Sequence, residues 1–310
     1  MENNTAKKTL TTKRLDNLQF LVLALPAILL LVTFAYIPMG GVVIAFEKFN
    51  VTKGIWGSPW IGLKNFEFFF KSSDAWRTIR NTLGLNLLFM SVGLVASISF
   101  AMLCFYLRSK RAIKIYQTVT LVPSFLSMVI VGYLVYSLLK PSGGVVNQLV
   151  TAFGGTPVNW YSQPQYWPVI LLVTILWHGV GNGSLFYFAS LMGIDTDYFE
   201  AASLDGATRW QQFRYIIIPF LIPLIVIIQT LNIGKIFRSD FGLFFNVTQD
   251  SGALYATTDV IDTYIYRSLI QIGDIGMSAA VGLFQSGVGF VLILLTNFIV
   301  RRIDSDSALF

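Results

Sequence analysis

Apolar residues in this chain gather into long unbroken blocks instead of alternating with polar ones or recurring on one helical face. Six blocks stand out, at about 18–46, 81–106, 115–139, 166–191, 215–236 and 277–300. A helix needs about 20 apolar residues to cross the ~30 Å hydrocarbon layer of a bilayer, and every block meets that length. The pattern predicts an all-α integral membrane protein of six transmembrane helices, with residues 1–310 as one transmembrane domain. Pro26, Pro38 and Gly40-Gly41 predict that the outer part of the first span kinks or frays. Pro123 lies inside the third span, and Pro219 and Pro223 fall in the first turns of the fifth.

The polar intervals set the expected orientation. The shortest holds Arg108, Lys110, Arg111 and Lys114, four positive charges in seven residues, which predicts a cytoplasmic loop. Six spans then place both termini in the cytoplasm, together with the basic tail (Lys7, Lys8, Lys13, Arg14) and the interval 192–214. Residues 47–80 mix Trp, Phe and Lys, a composition suited to short helices at the outer interface. Their six Lys and Arg run against the rule, but the segment is long and also carries acids. Residues 140–165 and 237–275 read as outer loops, the latter carrying Asp240, Asp250, Asp259, Asp262 and Asp274. The first block is too long for a secretory signal and lacks a cleavage site at the right distance, so it is expected to stay as a span.

Composition narrows the chemistry. Charged residues make up 12% of the chain, against about 25% in soluble domains. The net charge of +6 sits at the ends of apolar blocks, which is a topology signal and gives no footing for nucleic acid. Cys104 is the only cysteine, so no intrachain disulfide is possible, and His178 is the only histidine, so a His-based metal centre is excluded. Gly234-Lys235 is followed by Ile236, and no phosphate-cradling Gly-x-x-x-x-Gly-Lys-Ser/Thr occurs. An intramembrane enzyme would need a nucleophile and base paired within the spans, and none is evident; no catalytic residue is expected. An ion-coupled carrier would want acidic residues at mid-span depth, and the blocks contain none.

The interval 192–214 has a pattern of its own. Asp197 followed by Glu200 predicts a capped helix start, with the helix over Tyr198 to Leu204. Asp205-Gly206 should end it, since Gly206 can take the left-handed conformation. A second short helix is expected from about Ala207 into Ile216, giving an elbow along the cytoplasmic face. Such an elbow can merely connect two spans, or it can dock a partner. Ala201 and Ala202 are small enough for close approach, and Glu200 offers a carboxylate to a partner arginine.

Glu200-Ala201-Ala202, then Gly206, Ile216 and Ile218-Pro219 at these spacings resemble the "EAA" loop of ATP-binding-cassette importer permeases, with Ile218 in place of the usual leucine. Asp205 to Phe213, Trp60 to Phe66 and Asn81-Thr82 are similar to the maltose-type, carbohydrate-importing members. Tyr36-Ile37-Pro38-Met39 and Asp259 to Arg267 resemble the oligosaccharide and polysaccharide-fragment branch. The resemblance implies a type I importer permease fold and an oligosaccharide moved by alternating access. It implies that Glu200, Ala201, Ala202, Asp205, Gly206 and Pro219 couple the chain to an ATPase. The partners it implies are a second, related permease, a cytoplasmic ATPase dimer and an extracellular lipoprotein sugar-binding receptor, with membrane lipid around the spans. ATP and Mg would be bound by the ATPase, and this chain would carry no cofactor.

A sugar pathway needs amides for hydroxyls and aromatic faces for the C–H side of the ring. His178 and Asn182 share a face of the fourth span, with Trp177 and Tyr187 nearby, and Gln229 and Asn232 share a face of the fifth. Asn86 and Tyr133 are weaker additions. Each of these residues can line a cavity or can bond helix to helix.

Overall fold

A computed structural model describes residues 20–303, 308 and 309; the basic tail residues Lys7, Lys8, Lys13 and Arg14 and the start of the first block lie outside the described residues. Helices make up the regular structure, and Glu47 and Trp60 form an isolated β-bridge. Among the described residues, five helices are long and apolar enough to cross a membrane: Phe20–Phe46, Ser73–Phe105, Pro164–Met192, Arg209–Gly234 and Ile275–Arg302. A bent pair, Lys110–Phe125 with Met128–Leu139, makes a sixth if counted as one. These are the spans, numbered in chain order.

The third span is therefore not one helix over 115–139. Its two halves meet at 97°. Pro123 is buried at the break and has no N–H for a helical bond, and the chain turns extended at Leu126 and Ser127. Ser127 then starts the second half by accepting a hydrogen bond from the Ile130 N–H at 3.5 Å. The first span stays continuous but changes its winding where the prolines and glycines predict. A π turn over Val32–Tyr36 passes into a 3₁₀ stretch over Ile37–Phe46.

The second span begins at Ser73, not near residue 81. Ser72 caps it by accepting from the Ala75 N–H at 3.2 Å. At 33 residues it is ~50 Å long, so it overshoots the hydrocarbon layer. The second and fourth spans make the most extensive helix–helix packing in the molecule. Gly181 brings the fourth span against the first half of the third. A Cβ there would sit 2.1 Å from the Thr120 carbonyl oxygen, so only glycine fits.

The interval 237–275 is not an open loop. It folds into short helices at Leu243–Val247, Tyr255–Thr258 and Ile261–Arg267. Leu243, Phe244, Val247, Leu254 and Val260 are buried against Val131, Trp167 and Leu171, so the interval forms a packed cap on one end of the bundle. The overshooting turns of the second span hold this cap. Arg77 pairs with the fully buried Asp259 carboxylate at 2.7 Å, and Arg267 pairs with the same carboxylate and, at 3.0 Å, with Asp250. The Arg267 guanidinium lies 4.2 Å from the Tyr255 ring centroid. Burial alone would lower the pKa of Arg267, but Asp259 and its other neighbours outweigh it and the net shift is upward.

Asp262 is a second, half-buried carboxylate of the cap. It accepts hydrogen bonds from the Ser239 N–H at 2.7 Å and from Gln285 Nε2 at 3.1 Å. Burial nevertheless raises its pKa above the usual carboxylate value. A raised carboxyl favours the folded state most when protonated. That contribution is complete below the unfolded value of about 4 and is lost as pH rises through the raised folded value. Asp262→Asn should therefore flatten the decline in thermal stability from about pH 4 upward. Melting curves in detergent across that range check this, and equal slopes in the two proteins would count against it.

Candidate functional site

At the end of the bundle opposite the cap, the fourth and fifth spans are joined by the helix Thr196–Leu204. Its cap is Asp195, not Asp197: the Asp195 carboxylate accepts from the Asp197 N–H at 3.1 Å. Asp195 has the extended backbone that a cap requires, whereas Asp197 is already helical and supplies the donor. Phe199 packs on Phe105 at 5.7 Å, which fastens the helix to the end of the second span.

The helix ends as a Schellman turn. The Ala207 N–H donates to the Ala202 carbonyl at 2.8 Å and the Gly206 N–H to the Ser203 carbonyl at 3.2 Å. Gly206 supplies the required left-handed backbone, with φ of +76°. Thr208 then caps the next helix in a reciprocal box with Gln211. The expected second helix from Ala207 into Ile216 is not a separate element. Its α-helical part is Arg209–Gln212, which runs on through a π turn at Phe213–Ile217 into the fifth span. In the π turn the Ile218 N–H reaches back to Phe213, and Pro219 follows directly with no N–H to offer. Gln212 Nε2 donates to Ser203 Oγ at 3.0 Å, and Arg209 lies 4.8 Å from the Tyr106 ring centroid, so both arms are held at a set angle.

This elbow presents Glu200, Ala201, Asp205 and Gly206 to the outside, with Ala202 half-buried and Pro219 exposed at the start of the fifth span. Glu200 makes no ion pair among the described residues. Leu204 and Trp210 flank the turn at 89% and 69% exposure, and large apolar side chains so exposed fit a contact surface. Sequence reasoning passed over both. The signal was there in two large apolar residues on either side of a polar turn.

The second candidate site is a cavity of about 750 Å³ between the second, fourth and fifth spans. Tyr187, Gln229 and Asn232 line it, as do Asn86, Ser97, Lys235 and Arg238. Asn232 Nδ2 donates to Gln229 Oε1 at 3.2 Å. That leaves Gln229 Nε2 and Asn232 Oδ1 with no partner among the described residues, one donor and one acceptor for a ligand.

The other polar residues of the expected pathway lie elsewhere. His178 Nε2 donates to the Leu126 carbonyl at 3.1 Å, at the break of the third span, where it satisfies a backbone group freed by the bend. Trp177 and Asn182 are exposed on the outside of this chain and do not line the cavity. Tyr133 lines a separate pocket of about 150 Å³ with Phe245 and Asn246. Asn86 lines the cavity, but its amide is committed to the Ile236 and Arg238 carbonyls at 2.7 and 3.0 Å.

Comparison with known proteins places this geometry. A family described as "Binding-protein-dependent transport system inner membrane component" matches residues 90–305. The chain is 31% identical over 303 residues to the polygalacturonan/rhamnogalacturonan transport system permease protein YteP of Bacillus subtilis (strain 168), covering 97% of this chain and 93% of that one. It is 31% identical over 285 residues to protein LplB of the same organism, covering 92% and 89%. Among solved structures it superposes with TM-score 0.86 and 33% identity on a chain of a bacterial ABC transporter that imports the acidic polysaccharide alginate, covering 95% of this chain and 99% of that one. With a model matching over two thirds of its length and its helices arranged as in an importer permease, the chain belongs to the inner membrane components of binding-protein-dependent transport systems and is a multi-pass membrane permease, not an enzyme.

Proposed function

We propose that this permease moves an oligosaccharide into the cell by alternating access, driven by a separate ATPase. The observation that carries the reading is the elbow: a Schellman turn fixed on the bundle, presenting the small Ala201, two exposed apolar side chains and a Glu200 carboxylate with no ion pair among the described residues. A cytoplasmic ATPase dimer would receive Glu200, Ala201, Ala202, Asp205 and Gly206, and would hold the ATP and Mg, so that this chain carries no cofactor. Both termini and the elbow then lie in the cytoplasm, and the cap faces outward. A receptor would deliver sugar at the cap, and a second permease would complete the pathway. The exposed Asn182 and Trp177 are suited to that second permease, since an amide facing lipid would be costly. The saccharide class is supported by relatives named for polygalacturonan/rhamnogalacturonan transport and alginate import.

The test is reconstitution of the chain with its second permease and ATPase in liposomes, with receptor outside. Saccharide uptake should require ATP, and uptake that follows an ion gradient without the ATPase would sink the reading. In the same assay Gln229→Leu should lower uptake roughly tenfold by removing hydrogen bonds to the sugar worth about 1 kcal/mol each. ATPase association should be unchanged. Normal uptake by that variant would reduce the Gln229–Asn232 pair to a helix-stabilising role.

A further inference from the structure

The helix of the fifth span stops at Gly234, and residues 235–239 continue as a turn along the cavity. This turn is a built feature. Asn86 takes the Ile236 and Arg238 carbonyls, the buried Gln285 takes the Phe237 carbonyl, and the Ser239 N–H is bound by Asp262. Side chains from the second span, the sixth span and the cap thus hold the backbone of four residues of the turn, Ile236 to Ser239.

What the turn presents to the cavity is positive charge. Lys235 and Arg238 both line the wall that Gln229 and Asn232 line, and among the described residues no carboxylate lines it. Neither cation forms an ion pair among the described residues. Arg238 has one hydrogen bond from its guanidinium, to Ser286 Oγ at 3.4 Å. Asp262 is close enough to feel its charge, but that carboxylate is occupied by Ser239 and Gln285.

We propose that Lys235 and Arg238 bind carboxylate groups of an anionic saccharide, a uronate-containing oligosaccharide, in this cavity. The proposal rests on the cavity being the sugar pathway of the importer. A cationic wall attracts anions, and the guanidinium fork suits a carboxylate, while the adjoining Gln229 Nε2 and Asn232 Oδ1 suit ring hydroxyls. The same two side chains could reach lipid phosphates, and the experiment separates these sources.

Because a receptor would discriminate by itself, binding is measured on the receptor-free assembly of both permeases and ATPase in detergent. The probes are tetragalacturonate and its carboxyl-reduced, neutral counterpart. Wild type should bind the anionic form roughly tenfold or more tightly, the size of one charge-assisted hydrogen bond, with a preference that shrinks at high salt. Lys235→Gln/Arg238→Gln should erase the difference by weakening binding of the anionic form. Lys235→Gln alone, at an exposed side chain with no partner among the described residues, should remove part of it. Equal binding of both forms by wild type would overturn the proposal. So would a preference that persists in the double variant, which would make the two cations headgroup anchors. In either case ATP-driven uptake in liposomes would leave the import reading standing, whereas absence of ATP-driven uptake of any saccharide by wild type would end both.

Discussion

Gly206→Val should abolish coupled transport while leaving the protein in the membrane. Gly206 has φ of +76°, and a Cβ placed there meets nothing within 4 Å. The cost is therefore conformational and not a clash within the chain. A β-branched residue in the left-handed region costs ~1–2 kcal/mol, a factor of about 5–30 in the population of the turn. The Schellman bonds from Ala207 and Gly206 depend on that backbone, and with them goes the angle at which Glu200, Leu204 and Trp210 are presented. Gly206→Asn is the control, because asparagine tolerates the left-handed region and should retain most activity. The measurements are ATPase co-purification and ATP-driven uptake. If the valine variant couples normally, the elbow is a connector and its residues do not carry the function.

Asp259→Ala should be the most damaging substitution in the cap. The Asp259 carboxylate is fully buried between Arg77 and Arg267, and the Thr263 hydroxyl also donates to it at 3.3 Å. Breaking a buried pair by removing one partner costs about 3–5 kcal/mol, because charge is left uncompensated. The lower end is expected here. Arg77 keeps Asp74 at 3.0 Å and Arg267 keeps Asp250 at 3.0 Å. The expected result is a marked fall in melting temperature in detergent, with the cap loosening from the second span. Removing Arg77 as well, as Asp259→Ala/Arg77→Met, should restore part of the loss, since replacing a buried pair together is milder than orphaning one member. A single variant as stable as wild type would show that apolar packing alone holds the cap.

The sequence by itself determined the membrane class, the long apolar helices and the elbow. These follow from local properties: uninterrupted apolar length decides what can cross a bilayer, and a small residue with left-handed freedom decides where a short helix stops. Local sequence was less decisive at boundaries. Asp195 and Asp197 are both competent caps two residues apart, and the choice fell on the one whose backbone could stay extended. Likewise Ser73 to Arg80 are polar enough to read as loop, yet they are helix because Arg77 and Asn81 have partners 182 and 178 residues away.

Only the tertiary structure decided which polar residues share a space. Three- or four-residue spacing says that two side chains lie on one helix face, but not which neighbour that face meets. His178 and Asn182 passed the spacing test as well as Gln229 and Asn232 did. His178 faces the broken third span, Asn182 faces out of the chain, and the amide pair of the fifth span faces the cavity. Lys235 and Arg238 join that wall because Asn86 and Gln285, 150 and 48 residues away, hold the carbonyls of their turn. Contacts between residues so far apart in the chain have no local signature, because they arise only once the helices have packed.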